Sequence, residues 1–113
     1  MLIIPESKLI SYITSDFQTK SDLKIGEMEW ENIMNAKFDK FKKAGAIRQT
    51  VTQIWNKEGT LRLGHLWEYK DEKAFVECQK IFREAEIEFK KKTGIIWKAV
   101  SYTHLTLPTI VDV

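Results

Sequence analysis

The stretch Trp55-Asn56-Lys57-Glu58-Gly59-Thr60-Leu61-Arg62-Leu63-Gly64-His65-Leu66-Trp67-Glu68-Tyr69 decides the fold. Leu61 to Tyr69 is rich in strand formers, as is the run just upstream, Ile47 to Trp55. Between them, Lys57-Glu58-Gly59 is a three-residue loop with glycine last, which suits a type I turn followed by a left-handed residue. The pattern predicts a hairpin with Asn56 opposite Thr60. Its first strand then carries Ile47, Gln49, Val51, Gln53 and Trp55 on one face. The partner strand adds Leu61, Leu63, His65, Trp67 and Tyr69 to that face. Arg48, Thr50, Thr52, Ile54, Arg62, Gly64, Leu66 and Glu68 fall on the other. A slip of one residue would regroup both sets.

An amphipathic run flanks the hairpin on each side. Upstream, Trp30, Ile33, Met34, Phe38 and Phe41 recur at spacings of three and four, one face of a helix. This helix is predicted to start between Leu23 and Glu27, with Ser21 or Asp22 as its cap, and to end at Gly45. Downstream, Asp71 is a good N-cap, and Phe75, Cys78, Phe82, Ala85 and Phe89 form a second stripe that ends at Gly94. The two endings are alike: Lys42-Lys43-Ala44-Gly45-Ala46-Ile47 and Lys91-Lys92-Thr93-Gly94-Ile95-Ile96. Lysines suit the negative end of a helix dipole, and glycine accepts the left-handed conformation that closes the last turn. A strand at Leu9–Thr14 precedes the first helix, and another begins at Ile95. With right-handed crossovers, this order gives an α+β fold of ferredoxin-like βαββαβ type. Two helices then cover one face of a four-stranded antiparallel sheet.

Composition narrows the function classes. The 113 residues suffice for one small domain, and 43% hydrophobic with 30% charged residues is the balance of a folded chain. No apolar run approaches the roughly 18 residues of a membrane span, and the opening Met1-Leu2-Ile3-Ile4-Pro5 is too short for a secretion signal. The single cysteine, Cys78, excludes an internal disulfide framework and fits a reducing compartment, so the expected location is cytoplasmic. The net charge of +2 sits on lysines at helix ends and polar helix faces, with no arginine-rich arm or RNA-binding signature. No nucleic acid and no membrane are therefore expected as partners. One cysteine and two histidines without ligand spacing make no metal site, so neither a metal nor a cofactor is expected.

The run Val100-Ser101-Tyr102-Thr103-His104-Leu105-Thr106-Leu107-Pro108-Thr109 resembles the reading-frame translation of a common sequencing-library transposon adaptor. On that resemblance residues 1–99 form the domain, cut short at its end, and residues 100–113 are a non-native tail. His104 is then no ligand or base, and Pro108 has no positional meaning. The tail holds one acid, Asp112, and no Lys or Arg, so residues 1–99 carry +3.

The hairpin run itself resembles the central hairpin of dimeric α+β barrel proteins. It is similar to the NIPSNAP branch in particular, in which a tryptophan, a glycine turn and a strand like Leu66-Trp67-Glu68-Tyr69 precede a helix. The antibiotic-biosynthesis monooxygenase branch shares the element order. The resemblance implies a homodimer whose sheets meet face to face, with helices outside and a small-molecule pocket between sheet and helices. No catalytic motif of either branch carries over to this chain.

The mixed face of the hairpin is the candidate site. Gln49, Gln53 and His65 lie there among Leu63, Trp67 and Tyr69, with Trp30 and Phe38 of the first helix as a roof. Buried polar groups need partners, and a missing one costs about 1–3 kcal/mol. Apolar walls with a few converging polar groups describe a ligand pocket. Imidazole titrates near neutrality, which makes His65 the candidate proton carrier, with Tyr69 beside it. The same groups also suit a satisfied structural histidine and a core. The sequence thus predicts a protein that binds a small, partly apolar molecule, either a cofactor-independent monooxygenase or isomerase or a non-catalytic protein-interaction module. Arg48, Arg62 and Glu68 on the opposite face are expected to pair across a contact with a second sheet.

Overall fold

The computed structural model describes residues 2–3, 7–106 and 109–110. Gly59 takes φ +74°, and the Thr60 N–H donates to the Lys57 carbonyl at 3.3 Å, so the turn closes as its glycine requires. The hairpin strands are β3 (Ala46–Gln53) and β4 (Arg62–Tyr69), numbered after β1 (Leu2–Ile3) and β2 (Leu9–Phe17). Gln49 lies opposite Trp67, Val51 opposite His65 and Gln53 opposite Leu63, the register set by Asn56 facing Thr60. The register shifts only between Ala46 and Arg48, where a bulge puts Ala46 rather than Ile47 opposite Tyr69. Regular pairing stops at Gln53 and Arg62, short of Trp55, whose side chain is 87% exposed.

Helices α1 (Lys20–Ala44) and α2 (Glu72–Thr93) end at Gly45 (φ +109°) and Gly94 (φ +64°), each with lysines in the last turn. At Gly45 a side chain would also collide with Ala74, so the glycine is required for close approach as well as for the turn. Asp71 caps α2 by accepting from the Ala74 N–H at 2.9 Å. The first helix begins earlier than predicted. Its cap is Thr19, whose Oγ1 accepts from the Asp22 N–H at 3.0 Å, not Ser21 or Asp22. The first turn is polar, so no apolar periodicity announces it.

Strands β2 and β5 (Trp97–Leu105) complete a four-stranded antiparallel sheet in the order β3-β4-β2-β5, while β1 pairs with β6 (Thr109–Ile110). This is the ferredoxin-like arrangement, with both helices on one face. Between them lies the core: Phe41 and Ile33 from α1, Cys78, Phe82 and Phe89 from α2, and Trp67 from β4. The Trp67 ring lies 4.7 Å from Phe41 and 4.8 Å from Phe82 between centroids. Burying each such side chain contributes about 1.5–3 kcal/mol. Phe38 stands apart from this core; it is half-buried, with the Lys42 ammonium 5.0 Å from its ring centroid.

Among the described residues, no helix covers the other sheet face. Gly64 sits at its centre, where a Cβ would strike the Tyr12 hydroxyl and Thr52 Oγ1. Charges on this face pair within the chain. Arg48 meets Glu68 at 2.7 Å, and Arg62 grips Asp16 through two hydrogen bonds that hold the carboxyl below its ordinary range. Among the described residues no helix is long and apolar enough to cross a membrane.

Candidate functional site

Alternation along β4 turns Leu63, His65, Trp67 and Tyr69 toward the helices. Tyr69 is covered completely, whereas Leu63, His65 and Trp67, though buried, border open space. The first cleft, about 70 Å³ and partly open, lies between the sheet and both helices. Its floor is Ile13, Leu63, His65 and Trp67; Trp30 closes it from α1 and Phe82 and Phe89 from α2. Ser15 and Glu86 supply polar atoms, with Trp97 toward the edge strand. A second cleft, about 330 Å³, separates α1 from β3. Glu27, Glu31 and Asn35 form its helix side, and Gln49, Val51 and Gln53 its strand side. Trp30, Leu63 and His65 line both clefts.

His65 is 7% exposed, and its Nδ1 is buried without a hydrogen-bond partner among the described residues. Burial pushes its pKa down to about 4, so the ring is neutral at pH 7. Trp30 packs edge-on against it, with centroids 6.4 Å apart, and edge-on against Phe89 at 5.9 Å. A ring held this way keeps a fixed orientation while its polar edge stays short of a partner.

Tyr69 lies elsewhere. It is fully buried, stacked on Trp67 and edge-on to Phe75, lines neither cleft, and its hydroxyl has no partner among the described residues. Burial raises its pKa above the ordinary phenol value. Gln49 and Gln53 join His65, Leu63 and Trp30 in the second cleft, whereas Trp67 joins the latter three in the first. Phe38 roofs neither; it borders a separate groove beside Gln49 and Arg48. Cys78 is fully buried, its thiol directed at the Phe41 carbonyl at 3.9 Å and its pKa pushed up to about 11. No cluster of three or more His, Cys, Asp or Glu that could hold a metal occurs among the described residues.

Ser15, Phe17, Phe89 and Trp97 line the first cleft but went unread as site residues in the sequence. The available signal was alternation: once β2 runs on to Phe17, Ser15 and Phe17 fall on the side of Ile13. Gly26 also belongs here, because any Cβ would press into the Phe17 ring and hold α1 off the strand.

In sequence, no curated protein matches the chain. Solved structures resemble it in fold. A dimeric ferredoxin-like protein from an uncultured marine organism shares 20% identity, with 92% of this chain and 98% of that one aligned and a TM-score of 0.79. A monooxygenase of Streptomyces coelicolor in complex with nanaomycin D shares 13% identity over 97% of this chain and 96% of its own, with a TM-score of 0.65. A cofactor-independent oxygenase of Streptomyces nogalater shares 11% over 94% and 100%, with a TM-score of 0.59. At such identities the likeness concerns architecture, which hosts many activities. A family model described as "Domain of unknown function (DUF6974)" matches residues 6–103, and the chain belongs to that family.

Proposed function

We propose that the protein is a homodimeric ligand-binding α+β barrel protein that takes a small, partly apolar aromatic molecule into the first cleft. The observation that carries this reading is an aromatic-walled cleft of about 70 Å³, open to solvent on one side and bordered by a buried histidine with an unpaired nitrogen. Such a nitrogen costs about 1–3 kcal/mol until something pairs with it, and a hydroxyl on a ligand would do so. Trp30, Phe82 and Phe89 offer ring edges and faces, and Ser15 a second polar contact. The fold's monooxygenase relatives give the catalytic extension its support.

In that extension an electron-rich phenol or quinol reacts with O2 directly. One oxygen atom enters the ring carbon as a carbonyl and the other leaves as water with the two displaced hydrogens, the substrate supplying all four electrons. His65 would have to take the phenolic proton, with Tyr69 acting only through the core behind it. An imidazole near 4 facing a phenol near 10 leaves a gap worth roughly 8 kcal/mol, so turnover needs the ligand to raise the histidine's basicity. Binding is the firmer reading, and isomerase-type proton transfer meets the same obstacle. The competing reading, a non-catalytic interaction module of NIPSNAP type, draws on Trp55, exposed at the hairpin tip. Residues 1–99 are the domain in this proposal and 100–113 an adaptor translation; side chains from Lys98 to Leu105 are all exposed.

Thermal-shift titration with hydroquinone and 1,5-dihydroxynaphthalene tests the proposal. A ligand at about a hundred times its dissociation constant adds roughly 2.7 kcal/mol of stability. Oxygen uptake with the same compounds, without added flavin or metal, tests turnover. No shift with either compound, together with capture of a defined protein partner through Trp55, would favour the module.

A further inference from the structure

At about 70 Å³ the first cleft is less than half the roughly 150 Å³ that encloses benzene, so a ring seated there projects through its open side. What lies beyond that side decides how large the ligand can be. Toward the second cleft the shared residues include Leu63 and His65, 2% and 7% exposed, which stand as a partition. Toward the end of α2 the shared residues are Glu86, Trp97 and Ala99, and of these Glu86 and Ala99 are exposed, as residues at a rim are. Past that rim runs a groove of about 360 Å³ between α2 and the start of β5, lined also by Ile87, Lys90 and Ile96. Ile87 and Ile96 are 57% and 69% exposed, an apolar pair left in water beside the cleft.

We propose that the first cleft and this groove form one continuous site for an alkyl-substituted phenol. Its ring hydroxyl faces His65, and its chain lies along Ile87, Ile96 and Trp97. This extension rests on the ring binding in the first cleft. The occupant of the groove is the ligand's own chain, because Glu86, Trp97 and Ala99 border both hollows and a chain leaving the ring passes from one to the other. A polar substituent would gain nothing from the two isoleucines. The second cleft suits the chain poorly, since Glu27, Glu31, Gln49 and Gln53 form much of its wall.

The test titrates the full chain by calorimetry with hydroquinone, 4-methylphenol, 4-butylphenol and 4-hexylphenol, each below its solubility limit. A fully buried methylene tightens binding about fourfold, and this open groove should give about twofold per methylene from methyl to hexyl. In amide NMR spectra the hexyl compound should shift Ile87 and Ile96, which 4-methylphenol leaves in place. Ile87→Glu with Ile96→Glu, both exposed and outside the first cleft, should erase the gain with chain length and keep hydroquinone affinity. Equal affinity for the methyl and hexyl compounds overturns the proposal. So does a chain-length gain that survives the double Glu variant, or one that shifts Gln49 and Gln53 instead. A fall in sedimentation mass in that variant overturns it too, since a second copy would then cover the groove. Hydroquinone binding without a chain-length gain removes only the extension, whereas no hydroquinone binding removes the first-cleft reading as well.

Discussion

Two buried residues set the chemical character of the interior. Above pH 6.5 the His65 ring is neutral in both folded and unfolded chains, so its burial carries no titration penalty. As pH falls from 6.5 toward about 4 the unfolded chain takes up a proton that the folded one refuses, and stability drops by roughly 3 kcal/mol in total. Urea melts at stepped pH should show that decline, and His65→Leu should flatten it without loss of stability at pH 7. The same variant should weaken ligand binding in the first cleft. Phe82 is different: it is 8% exposed and wedged edge-on against Trp67 and beside Phe41. Phe82→Ala should cost about 3–5 kcal/mol in the same measurement, and a loss below about 1 kcal/mol would contradict its role in the core. Of the candidate site, His65, Trp30, Leu63 and Trp67 were legible because strand alternation and helix spacing each place a side chain on a face. Whether a residue on the right face borders open space depends on what the facing element brings. That is why Tyr69 and Phe38 lie outside both clefts, and why Phe89 and Trp97 were missed.

Element boundaries divide in the same way. The ends at Gly45 and Gly94, the cap at Asp71 and the hairpin register are fixed by chemistry within a few residues, and they can be read directly. Thr19 was missed because Lys20-Ser21-Asp22 offers no apolar spacing; only the cap bond to Asp22 reveals the start. The bulge at Ala46 follows from fitting the strand to the end of α1, a tertiary demand that no local pattern carries. Two substitutions probe these devices by thermal denaturation. Asp71→Ala should cost about 1 kcal/mol and Asp71→Asn much less, because either Asp or Asn oxygen can accept from the Ala74 N–H. Gly45→Ala should cost roughly 2 kcal/mol, since φ +109° strains any side chain and the added methyl meets Ala74.

At the scale of the molecule, the helix-free sheet face dominates. The chain measures 49 × 34 × 18 Å, a slab with all its helical cover on one side. Tyr12, Thr52 and Leu66 surround the close-approach glycine, Gly64, on the bare side. Antiparallel sheets tolerate one wet face, but a second copy laid on this one would bury these groups. Sedimentation equilibrium should then report twice the 13.3 kDa chain mass, and Leu66→Glu should return it to a single chain with its helical circular dichroism intact. A single-chain mass for the unaltered protein would remove the homodimer from the proposal.

The outer edge strand has one more implication. From Lys98 to Leu105 every residue of β5 is exposed, Ala99 bordering the first cleft and Thr103 meeting Ser11 at 3.4 Å, while the backbone pairs with β2 from Leu9 to Phe17. Such a strand is held by its amides and carbonyls, and its lettering is almost free. The rim is therefore a natural grafting point, where a foreign peptide of modest β tendency can be spliced in and tolerated so long as Trp97 keeps its seat beside Phe89.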